Sequence, residues 1–124
     1  MIRAGAFLGA LGVALGAFGA HGLEQTFRAS PRAAEHWGTA TEYTFYHALA
    51  LVLCGLLAER GYRPRIAAWC FAAGAVVFGG TLYLLALGCP RWLGAITPIG
   101  GTLLIAGWVA LVVSRRSPAS PDHS

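Results

Sequence analysis

Three side chains able to carry proton or metal chemistry, His21, Glu42 and His47, stand in or at the ends of long apolar stretches. A carboxylate with two imidazoles can relay protons or ligate a divalent metal, and two facing histidines can hold a haem. Near them in depth fall four hydroxyls able to orient such groups, on Tyr43, Tyr46, Tyr83 and Thr97. On a helix, Glu42 with Tyr46 and Tyr43 with His47 are i,i+4 pairs whose side chains can meet. The His and Glu spacing follows no metal pattern. The chain also has no HExxH helix, phosphate loop, nucleophile elbow, CxxC or CxxCH. His36 reads as solvated outside the membrane, and His123 lies in the tail. The residues therefore assign no catalytic group, no metal and no cofactor. They offer a polar cluster with no motif.

The elements that must position this cluster are four stretches without Arg, Lys, Asp or Glu: Ala4–Ala20, Tyr43–Ala58, Ile66–Pro90 and Trp92–Ser114. A hydrocarbon core of about 30 Å takes roughly 17–25 such residues as a helix, and a helix satisfies its own backbone polar groups there. The chain has 124 residues, 56% hydrophobic and 11% charged, which fits a membrane protein better than a small soluble domain. The prediction is an all-α polytopic membrane protein: a four-helix transmembrane bundle in one domain over residues 1–116. Its spans run at about 4–23, 40–58, 66–88 and 94–114, with a disordered tail at 117–124.

The net charge of +4 arises from nine arginines and no lysine. They cluster at span ends and form no aromatic-interleaved face, so the lipid bilayer is the expected partner and nucleic acid is not. Arg3, Arg60, Arg63, Arg65, Arg115 and Arg116 fall on one side, and Arg28, Arg32 and Arg91 on the other. The positive-inside rule then puts both termini and the 59–65 loop in the cytoplasm. Arg3 and the small residues up to Ala20 also resemble a cleavable signal peptide. The length of the run and its glycine periodicity favour a retained span. Cys54 and Cys70 lie in spans and Cys89 in a loop, so no disulfide framework is expected.

Gly5, Gly9, Gly12, Gly16 and Gly19 are spaced four, three, four and three, which places the smallest side chain along one helix face. Lipid gives helices no hydrophobic reason to associate, so close approach over small residues does. The stripe predicts a packing seam against span 2, span 4 or another subunit. Gly79 and Gly80 in span 3, and Gly100 and Gly101 in span 4, predict further close approaches. Ser30-Pro31 reads as a cap and first helical residue, which predicts a helix 2 from Pro31 to Ala58, about 40 Å long. In Ile96-Thr97-Pro98, Thr97 reads as the cap of a short final helix. Rising 1.5 Å per residue from the cytoplasmic ends, His21, Glu42, Tyr83 and Thr97 all reach about 24–27 Å, with His47 deeper. That predicts one polar layer, with Glu42 drawn to the positive helix end at Pro98.

The segments Ala14 to His21, Glu42-Tyr43 through His47-Ala48-Leu49, Phe78 to Leu87, and Ile96 to Gly101 together resemble the domain-of-unknown-function 423 family. These are small YgdD-like four-span inner-membrane proteins with a related eukaryotic group. The resemblance runs in order through all four spans, about residues 4 to 113. It implies an uncleaved first span and no assigned activity. Its motif positions here are His21, Glu42, Tyr43, His47, Tyr83, Thr97, Pro98, Gly100 and Gly101. Relatives carry Gln after the Glu-Tyr pair where this chain has Thr44.

Three roles follow, in order of support. The first is a non-enzymatic structural or accessory membrane component acting through helix packing, as a homo-oligomer or within a larger complex. The second is transport or permeation of a small solute or ion past Glu42 and His47. The third is a membrane enzyme or redox module with metal or haem on His21, Glu42 and His47.

Overall fold

The structure, a computed structural model, describes residues 1–118. Its elements are α1 (Ile2–His21), α2 (Glu24–Ala29), α3 (Pro31–Glu59), α4 (Arg65–Ala86), a 3₁₀ turn (Arg91–Ala95) and α5 (Thr97–Val112). Four stretches are long and apolar enough to cross a membrane: α1, α3, α4 and the turn together with α5. The protein is a four-span, all-helical membrane protein. At 29 residues α3 is about 43 Å long, so it outreaches the hydrocarbon core. Its start is set as the sequence implies: Ser30 Oγ accepts from the Ala33 N–H and Pro31 opens the helix. The connection before it is not plain loop, because Leu23 and Phe27 bring the short α2 down onto Trp37.

The extensive interfaces follow chain order: α1 on α3, α3 on α4, α4 on α5. Glycine sets each one. A Cβ at Gly5 would come within 2.7 Å of the Ala48 carbonyl oxygen. One at Gly12 would come 3.3 Å from Phe45, and one at Gly16 3.2 Å from Thr41. At Gly19 it would enter the Trp37 indole. The stripe of α1 therefore seats on α3 of the same chain. Gly79 faces Thr44 on α3, while Gly74 and Gly107 meet Leu104 and Phe71 across the α4–α5 seam. Gly100 makes the tightest approach to backbone, lying against that of Phe78. Gly101 has ordinary room. Gly80 is no packing glycine, since a Cβ there would meet nothing within 4 Å. Following Gly79 by 100° of helix rotation, it turns off the α3 seam.

Two apolar clusters fill the interior. Ala50, Leu51, Cys54, Ala67, Ala68 and Phe71 pack near the α3–α4 hairpin, and Ala33, Trp37 and Ala86 pack toward the other end. At the hairpin end the chain doubles back. Ser117 N–H donates to the Gly61 carbonyl (2.7 Å), and Arg63 Nε donates to Ser117 Oγ (2.6 Å). The expected tail of 117–124 thus begins with a residue held in place, while 119–124, with His123, lie outside the described residues.

Candidate functional site

The polar side chains of the spans form three separate ties between helices. Near the α2 end, the Trp37 indole N–H of α3 donates to the Leu15 carbonyl of α1 at 2.8 Å. Thr41 Oγ1 donates to the Trp37 carbonyl at 2.9 Å and lies 2.8 Å from the Tyr83 hydroxyl of α4. A hydroxyl has one proton, so Tyr83 donates to Thr41. The Tyr83 ring also stands edge-on to Trp37, with centroids 4.6 Å apart. One line of bonds thus joins α1, α3 and α4.

A second tie joins α4 to α5. Thr81 Oγ1 and Thr97 Oγ1 are 2.7 Å apart, and carbonyls of Val77 and Leu93 lie within reach of the pair. Thr97 is not a cap, contrary to its sequence reading. It is the first residue of α5, and its hydroxyl turns back toward Leu93 and across to Thr81.

The third tie is His47. It is 4% exposed, with Nδ1 2.6 Å from the Tyr43 carbonyl, and Trp108 Nε1–H of α5 donates to Nε2 at 3.1 Å. Because the indole can only donate, Nε2 carries no proton here and Nδ1 donates to Tyr43. The ring is stacked on Tyr43 and flanked by Phe71 and Trp108. Beside it runs a cleft of about 500 Å³ between α3, α4 and α5, walled by Tyr43, Tyr46, Phe78, Leu104 and Trp108.

Two residues of the expected layer stay out of it. Glu42 is exposed and makes no hydrogen bond or ion pair among the described residues, so it does not answer the helix end at Pro98. His21 is exposed at the end of α1. The reason is rotation. Glu42 lies two residues past buried Ala40, and His21 two past buried Gly19. Each is therefore about 200° around its helix from the packed face. Tyr46, two residues past buried Thr44, is likewise mostly exposed (53%). Among the described residues, no three His, Cys, Asp or Glu side chains gather to form a metal cluster. His21, Glu42 and His47 thus form no common ligand set.

Trp37, Thr41, Thr81 and Trp108 are site residues the sequence reading passed over. For Trp37 and Thr41 a signal exists: Trp37, Thr41, Thr44 and Ala48 recur at four, three and four. Trp108 carries a donor that must find a partner in lipid.

Four spans, three glycine-lined seams and polar ties of single bonds between the helices define a small polytopic membrane protein. A family described as protein of unknown function (DUF423) matches over residues 15–101, and the chain belongs to it. It is 45% identical over 111 residues to a UPF0382 membrane protein of Staphylococcus epidermidis, covering 89% of each chain. The UPF0382 membrane protein YwdK of Bacillus subtilis is 42% identical over 113 residues, covering 89% of this chain and 90% of the relative. No solved structure matches.

Proposed function

We propose that the protein is a non-enzymatic structural or accessory component of the bacterial inner (plasma) membrane. The observation that carries this reading is His47, the deepest ionisable side chain of the spans. Both of its ring nitrogens are engaged inside the chain. An imidazole bonded at both nitrogens has no lone pair free for a metal and no site free for proton exchange. Thr41, Tyr83, Thr81 and Thr97 are engaged in the same way, between helices. The detergent-purified protein and His47→Ala are compared by visible absorption and elemental analysis. Neither is expected to show a haem band or stoichiometric metal, and the variant is expected to unfold at lower temperature. Metal or haem present in the wild type and lost in the variant would overturn the reading.

Orientation is part of the proposal. The N-terminus lies beside Gly55 and Ala58, and the Arg63 N–H bonds the Arg115 carbonyl, so six arginines share one end. That end faces the cytoplasm by the positive-inside rule. A membrane-impermeant maleimide is expected to label Cys89 from outside the intact plasma membrane. Labelling only after lysis would invert the topology.

One observation favours a second reading, a small apolar solute held or passed at the cleft beside His47. Glu42 is not among its walls. Solute flux in proteoliposomes that depends on His47 and not on Glu42 is its signature.

A further inference from the structure

A second cleft, larger than the one beside His47, lies away from it at the end that carries α2. It has a volume of about 720 Å³ and opens between the start of α3 and the α4–α5 connection. Arg32 and His36, one turn apart on α3, and Arg91 from the 3₁₀ turn line it, and no carboxylate does. The one ion pair among the described residues is Arg28 with Glu24, so neither Arg32 nor Arg91 is neutralised there. Two guanidinium groups around one space match the oxygens of a phosphate, which each can meet with paired N–H donors.

On the α4 side of the cleft part of the backbone is already satisfied. Carbonyls of Tyr83, Leu84 and Leu85 at the end of α4 are already bonded by the N–H groups of Leu87, Gly88 and Cys89. Below the arginines the wall is apolar, from Ala33, Leu85 and Ala86. The cleft therefore has a cationic rim over an apolar wall at the end of the spans.

We propose that this cleft binds a phosphate-bearing anion, supplied by the headgroup of an anionic membrane lipid whose chain lies along the apolar wall. The site is separate from the His47 cleft and stands or falls independently of the role proposed above. Delipidated protein in a neutral detergent is titrated with dihexanoyl phosphatidylglycerol, dihexanoyl phosphatidylcholine and glycerol 1-phosphate. Binding is read from the shift in unfolding midpoint. Phosphatidylglycerol is expected to bind at least tenfold more tightly than phosphatidylcholine. Arg32→Gln/Arg91→Gln is expected to remove that preference, while Arg60→Gln/Arg65→Gln at the opposite end leaves it. Should the double variant fail to fold, Arg32→Gln and Arg91→Gln alone are expected to show part of the loss. A shift produced equally by glycerol 1-phosphate supports the site and assigns it a soluble ester. No preference for the anionic lipid, or one that survives the cleft variants, overturns the proposal.

Discussion

At the scale of residues, depth and direction are separate coordinates, and only the first is easy to count. Rise along a helix places His21, Glu42, Tyr83 and Thr97 at one level, but side chains leave the axis at 100° intervals. Tyr83 follows Gly79 by four and stays on the packed face, whereas Glu42 and His21 turn away from it. His47 was readable because it sits seven residues after Ala40, two full turns, and so returns to the same face. Its partner Trp108 was not, since 61 positions separate them and only tertiary packing joins them. The bond itself is testable. Trp108→Phe leaves Nε2 without its donor, and the expected cost is about 1 kcal/mol, typical of a net hydrogen bond and within the membrane range. In a cycle with His47→Leu the two losses are expected to be less than additive. Strictly additive losses would mean the two side chains do not act together.

Elements depend on where glycine was placed. The stripe of α1 was legible in the spacing of its five glycines, while its neighbour had to come from the structure, because a small face fits any other helix. The pairs Gly79-Gly80 and Gly100-Gly101 look equivalent in sequence. In the fold one member of each pair is closely packed and the other has room for a methyl. Gly100→Ala drives a methyl into the Phe78 backbone, which cannot rotate aside. The expected cost is about 1–3 kcal/mol, as for an overpacked core. Gly80→Ala meets open space and Gly101→Ala finds ordinary contact, so both are expected to unfold near the wild-type midpoint. Equal damage from all three would show that α5 does not lie on α4 as described. The short α2 was not foreseen. Its signal is two apolar residues, Leu23 and Phe27, in a mostly polar segment, too few for a periodic pattern.

For the whole molecule, the spans pack in chain order, and the polar ties cross every seam. Trp37, Thr41 and Tyr83 fasten α1, α3 and α4; Thr81 and Thr97 fasten α4 to α5; His47 and Trp108 reach from α3 to α5. The glycine stripe is used within one chain, so it is not left free as a seam for a second copy. This is the central claim, and one pair of positions tests it directly. A Cβ built at Gly9 lies 3.8 Å from the Ala48 Cβ, the spacing of about 3.8 Å that a disulfide needs. Gly9→Cys with Ala48→Cys, in a chain whose own three cysteines are replaced by alanine, is oxidised in native membranes and run without reductant. A bundle closed on itself gives an intramolecular disulfide and migrates as a monomer. A disulfide-linked dimer, with no intramolecular product, would show instead that the stripe joins two copies.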